Sequence, residues 1–84
     1  MSFTVLYAKT FDRKAFLKVS KDDRRRIFEA IDAKLTTYPQ MFGKPLRKSW
    51  KGHWSLRVGD YRVIYRLEKH NVYIVDIGHR SMVY

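Results

Sequence analysis

Apolar residues along the chain alternate between two periods, and the change of period divides it. Phe3 to Tyr7 (FTVLY) is a short run of β-branched and aromatic residues that predicts an opening strand. Between Lys9 and Val19, Phe11, Ala15, Phe16 and Val19 recur at helical spacing, which predicts one short helix. Ser20 then stands three residues before Asp23, in the manner of a helix-capping pair. Asp22 and Asp23 lie where the positive end of a helix dipole favours them. Ile27, Ala30, Ile31 and Leu35 form one stripe, so a helix is predicted from Lys21 to about Thr37, ended by Pro39.

After a loop holding Pro39, Gly43 and Pro45, the pattern becomes that of strands. Trp54 to Val58, Tyr61 to Leu67 and Val72 to Ile77 are rich in aromatic and β-branched residues, and Gly59-Asp60 separates the first two. A two-residue turn with glycine is a hairpin turn, because glycine reaches the positive φ that such turns need. The predicted fold class is α+β: an N-terminal strand, two helices, then a three-strand antiparallel meander with the helices on one face of the sheet. At 84 residues, with no repeat or linker, residues 1–84 form a single domain.

The hairpin fixes a register. Val58 faces Tyr61, Arg57 faces Arg62, Leu56 faces Val63, Ser55 faces Ile64 and Trp54 faces Tyr65. Alternation puts Trp54, Leu56, Val58, Tyr61, Val63 and Tyr65 on one apolar face, which must carry the helices. Arg57 and Arg62 fall opposite each other on the other face. Like charges so placed cost roughly 0.2–1 kcal/mol, so the pair points to a role other than stability.

Composition strengthens that reading. There are 18 Lys and Arg against 8 Asp and Glu, a formal charge of +10, and the acidic residues thin out in the second half. Such a balance implies a polyanion or an acidic protein as partner. Lys48, Lys51 and Arg66 lie near the arginine pair in sequence and are candidate substrate-binding residues, since few carboxylates are at hand to neutralise them. With no cysteine there is no disulfide framework or thiolate site, and the three histidines lack metal-ligand spacing, so no metal or cofactor is expected. His53 and His70 fall in predicted turns and receive no role. No stretch reads as a leader or a membrane span, and the cytoplasm is the expected compartment. If the last strand borders the hairpin, Arg80 joins the pair, with His79 and Tyr84 as titratable groups near a basic cleft.

The run Leu46-Arg47-Lys48, the segment from Trp54 to Tyr65 containing RVGDYRVIY, and Ile77-Gly78-His79-Arg80 with its Val83-Tyr84 ending resemble the RelE/ParE toxin superfamily. The resemblance runs along the whole chain in element order. It implies the toxin of a type II toxin–antitoxin pair, with a cognate acidic antitoxin as partner. In the RelE branch it implies a metal-independent endoribonuclease that enters the ribosomal A site and cleaves mRNA by attack of a ribose 2′-OH on the adjacent phosphate. Carried over by position, Arg57 matches a basic position of the family's active strand, Arg62 the arginine of its YR motif and Arg80 the arginine after the last strand, and Tyr84 resembles a tyrosine that stacks on a base or assists proton transfer. His79 is a second candidate for the proton. Two departures stand out: Ser55 occupies a position that is often basic, and no glutamate lies between Phe42 and Lys51. A ParE-like inhibitor of DNA gyrase and a catalytically inactive RNA- or antitoxin-binding module are the competing readings.

Overall fold

The computed structural model describes residues 2–81. The chain runs β1 (Thr4–Tyr7), α1 (Arg13–Phe16), α2 (Lys21–Ala30), a π-helical turn (Ile31–Leu35) and α3 (Pro39–Phe42), then β2 (Lys44–Pro45), a 3-10 turn (Lys48–Trp50), β3 (His53–Val58), β4 (Tyr61–Glu68) and β5 (Asn71–His79). The strands form one sheet in the order β1-β5-β4-β3-β2. The expected meander is therefore its centre. β1 pairs parallel to β5, which its helical crossover permits, and the short β2 extends the far edge antiparallel to β3.

The helices begin where their caps dictate. Asp12 accepts from the Ala15 N–H at 3.0 Å and Ser20 accepts from the Asp23 N–H at 3.2 Å. The segment read as one helix from Lys9 to Val19 is helical only over Arg13–Phe16, because the cap sits at Asp12. The second helix loses α geometry at Ile31 and is a π turn to Leu35. Ile27, Ile31, Leu35 and Phe16 pack on Leu56, Val58, Val63, Tyr65, Val72, Ile74 and Ile77. Burial of each aliphatic side chain contributes about 1.5–3 kcal/mol.

The register of β3 with β4 is the one the turn predicts, Arg57 opposite Arg62 included. Between β4 and β5 the pairing slips at Ile64/Tyr65: Ile64 pairs with Asp76 and Tyr65 with Ile74, leaving Val75 as the extra residue. This bulge keeps both Ile74 and Ile77 in the core and turns Val75 to the outer face, where it packs with Leu46, Ile64 and Trp50.

Candidate functional site

The turn that makes the site is short and specific. Gly59 has φ +60°, and Asp60 is not among the positive-φ residues, so the glycine occupies the first central position of a II′-type hairpin turn. The Arg57 Nε–H donates to the Gly59 carbonyl at 3.2 Å, which tethers its guanidinium to the bend. Across the ladder, Arg62 lies between Arg57 on β3 and Gly78 on β5, a neighbour without a side chain. The Nε of Arg62 is buried and, among the described residues, has no hydrogen-bond partner. Among the described residues the ion pairs are those of Arg25 with Asp22 and Glu29 and of Arg66 with Glu68, so no carboxylate neutralises Arg57 or Arg62.

A hollow of about 390 Å³ opens beside the pair. Lys34, Lys44, Arg47, Arg57 and Arg62 line it together with Phe42 and the buried Ser55, and among the described residues no carboxylate does. Lys44 reaches the outer face because β2 pairs it with Ser55, two residues before Arg57. The wall that carries Phe42 and Lys44 is anchored from below: the buried Tyr65 hydroxyl donates to the Pro39 carbonyl. Burial pushes the Tyr65 phenol well above the ordinary tyrosine range, so it remains a donor. Gly43 is the residue that lets α3 and Tyr65 meet, since a Cβ there would lie 1.8 Å from the hydroxyl oxygen.

The remaining sequence-predicted residues separate. The Arg80 N–H donates to the Asp60 carbonyl at 2.8 Å, joining the chain after β5 to the hairpin bend, although its side chain does not line the hollow. His79 pairs with Tyr61 rather than with an arginine. Its ring meets the Tyr61 ring edge-on at 5.7 Å, on the helix-bearing face, and its Nδ1 lies 2.8 Å from the Ser81 hydroxyl. Burial, with Asp23 close by, raises the Tyr61 phenol. His79 is therefore on the side of the sheet away from Arg57 and Arg62. Tyr84 lies outside the described residues.

Lys48 and Lys51 are exposed around the 3-10 turn and do not line the hollow. Arg66 shares the outer face but is engaged elsewhere, 2.9 Å from Glu68 and stacked 4.3 Å over the Tyr73 ring. Sequence reasoning missed Lys34, Lys44, Arg47 and Phe42 as parts of the site. The available signal was the alternation Lys44-Pro45-Leu46, an edge-strand pattern with a proline. Among the described residues no group of three or more His, Asp or Glu is placed to hold a metal ion.

A separate hollow of about 650 Å³ lies on the helix side, with Phe11, Phe16, Leu17 and Phe28 in its walls. Its rim mixes Arg24 and Arg25 with Glu29 and Asp32, so it offers apolar contact rather than a concentrated charge. The outer hollow is the one suited to an anion: planar guanidinium forks, an unpartnered N–H and no competing carboxylate favour phosphate oxygens.

Comparison with known proteins identifies the family. A model of the ParE toxin of the type II toxin–antitoxin system parDE matches residues 6–84. Toxin RelG of Mycobacterium tuberculosis is 31% identical over 86 residues, covering 100% of this chain and 98% of that protein. Toxin RelE of the same organism is 41% identical over 58 residues; that match spans 67% of this chain and 60% of the relative. Among solved structures, the RelBE2 toxin–antitoxin complex from Mycobacterium tuberculosis matches with a TM-score of 0.85 at 30% identity, covering 95% of this chain and 100% of that one. YafQ from E. coli shares the fold, with a TM-score of 0.64 at 18% identity over 98% of both chains. From the opening strand to the last residue, then, the chain belongs to the RelE/ParE superfamily of toxins from type II toxin–antitoxin systems.

Proposed function

We propose that this toxin is a metal-independent endoribonuclease that cuts mRNA in the ribosomal A site, with Arg57 and Arg62 gripping the scissile phosphate. The observation that carries the reading is the carboxylate-free hollow containing both guanidiniums, one of them with a buried, unpartnered Nε. In the proposed reaction the ribose 2′-oxygen bonds to phosphorus and loses its proton. The bond from phosphorus to the 5′-oxygen breaks, and that oxygen takes up a proton. A cyclic phosphate and a free 5′-OH result. Arginines held in a pre-set geometry stabilise the extra negative charge of the phosphorane without reorganising at the moment of reaction. Lys44 and Arg47 extend the positive wall along the backbone of the strand, and Arg80 is the proposed third arginine. With His79 turned to the opposite face, Tyr84 is the proposed proton carrier or stacking group.

The proposed partner in the resting cell is an acidic antitoxin that covers the basic face; the related RelBE2 structure is a toxin–antitoxin complex. The cytoplasm, where mRNA is translated, is the proposed compartment. A ParE-like action on gyrase is the second reading, favoured by the family description that the chain matches. Primer extension on an mRNA in a translating extract decides between them. Wild-type protein is expected to cut, and Arg62→Ala to cut about 100- to 1,000-fold more slowly while melting at or slightly above the wild-type temperature, because repulsion is relieved. Intact mRNA together with gyrase trapped on cleaved DNA would transfer the assignment to the second reading.

A further inference from the structure

Phe42 stands apart from the other phenylalanines. Phe3 meets His70, while Phe16 meets Phe11 and Phe28 edge-on, and Phe11 and Phe16 pack in the main apolar cluster. Among the described residues Phe42 pairs with no other ring, belongs to neither apolar cluster, and is 44% exposed. It lines the basic hollow, in the company of Lys44, Arg47, Arg57 and Arg62. The Lys34 ammonium lies over its ring, 5.7 Å from the centroid.

An exposed aromatic ring gains nothing for the core, and its position is nevertheless held firmly. The Phe42 N–H donates to the Tyr38 carbonyl at 3.1 Å, and the Gly43 N–H donates to Pro39 at 3.3 Å. The Pro39 carbonyl is itself held by the buried Tyr65 hydroxyl. The ring is thus mounted on a stiff bracket fixed to the centre of the sheet. A flat, rigid apolar surface beside a row of cations is the arrangement that binds single-stranded nucleic acid: cations take the backbone and the ring takes a base face.

We infer that Phe42 is a stacking surface for a nucleobase adjacent to the phosphate held by Arg57 and Arg62, with Lys34 bordering the same subsite. This rests on the proposed RNA-cleaving function and specifies how that hollow seats its strand. The ring turns a generic anion hollow into one that prefers a base-bearing chain over a bare polyanion, and it sets the direction in which the strand leaves the arginines.

The test uses the full chain and a fluorescent hexaribonucleotide, 2′-O-methylated so that it cannot be cut, with a fully abasic version of the same backbone. Phe42→Ala is expected to weaken binding of the base-bearing oligomer by about 5- to 100-fold and to leave the abasic one unchanged. Phe42→Leu, which restores apolar bulk without a π face, should bind like the alanine variant. Phe42→Trp should bind at least as tightly as wild type, with its indole emission quenched by the oligomer. Unchanged melting temperatures confirm that the fold is intact. The inference falls if Phe42→Ala or Phe42→Leu binds as wild type while Arg62→Ala does not, an outcome that leaves the nuclease reading standing. Wild-type protein that binds neither oligomer overturns the inference, and intact mRNA in the translating extract would overturn the nuclease reading with it.

Discussion

The bracket beneath the hollow depends on one missing methyl group, and Gly43→Ala measures it. Gly43 has φ −95° and ψ 167°, backbone that alanine adopts freely, so the substitution carries no conformational penalty. By chain entropy alone it would stabilise the protein by about 0.4–1 kcal/mol. The added Cβ, however, would lie 1.8 Å from the Tyr65 hydroxyl oxygen and 2.8 Å from its Cζ. Tyr65 cannot swing away: it is fully buried in the main cluster, and its hydroxyl is committed to Pro39. Overpacking costs about 1–3 kcal/mol, and displacing a buried hydrogen bond costs about 1–3 kcal/mol more. Less the entropic gain, the net loss is about 1–5.5 kcal/mol, a large part of the stability of a small domain, and each kcal/mol lowers the melting temperature by about 4–8 °C. Urea unfolding followed by tryptophan fluorescence measures it directly. Tyr65→Phe removes the colliding oxygen and one of the two hydrogen bonds on the Pro39 carbonyl, which keeps the Gly43 N–H, at a cost of about 0.5–1.5 kcal/mol. The double variant should therefore lose about 1–2 kcal/mol less than the sum of the singles. A Gly43→Ala protein as stable as wild type, or a strictly additive cycle, would refute the argument that α3 is seated on Tyr65.

The buried phenols predict the shape of alkaline unfolding. Burial raises Tyr65, and Tyr7 and Tyr61 are raised as well, so the folded state holds these protons more tightly than the unfolded chain does. Stability should accordingly be unaffected by these groups below about pH 10 and fall above it, by up to about 1.4 kcal/mol per pH unit for the fully buried Tyr65 and by less for the more exposed Tyr7 and Tyr61. Urea midpoints between pH 8 and 11 should show a shallower decline in Tyr65→Phe, and an unchanged slope would contradict the assignment. In the two-residue connection between β4 and β5, Lys69 has φ +58°, a conformation costing a side chain about 1–2 kcal/mol. Lys69→Gly recovers that strain less about 0.5–1 kcal/mol of added chain entropy, so the urea midpoint should rise slightly; a clear fall would show that the lysine side chain contributes contacts of its own.

The parts of the fold legible in the sequence are the local ones. A glycine-containing two-residue bend and period-two alternation over Trp54 to Tyr65 specify the β3–β4 register without information from elsewhere, and with it the meeting of Arg57 and Arg62. Ser20 also announces its helix, whereas the cap at Asp12, which the reading of Lys9 to Val19 did not use, shortens α1. What sequence reasoning could not place depends on contacts between distant residues. The wall bearing Phe42 and Lys44 stands where it does because Tyr65 reaches Pro39, 26 residues away along the chain. The face of His79 depends on the bulge at Val75. Strict alternation from the buried Ile74 would put residue 79 on the arginine face. One extra residue reverses the order, so that Ile77 and His79 turn inward and Gly78 lies opposite Arg62.

That inserted residue also explains how the site holds its charge. Gly78 opposite Arg62 brings no side chain of its own to the outer face beside the guanidinium. The result is a concentration of unfavourable terms in one place: two arginines facing each other and an unpartnered buried Nε, within a domain whose other buried side-chain orphan is His53 Nδ1 among the described residues. On the proposed reading, a phosphate seated between the guanidiniums would accept from their terminal N–H groups and offset the repulsion at once. Two residues that lower stability by themselves would then raise it when the anion is bound. For this reason the cost of the pair and its affinity for a phosphodiester should rise and fall together across substitutions at Arg57 and Arg62.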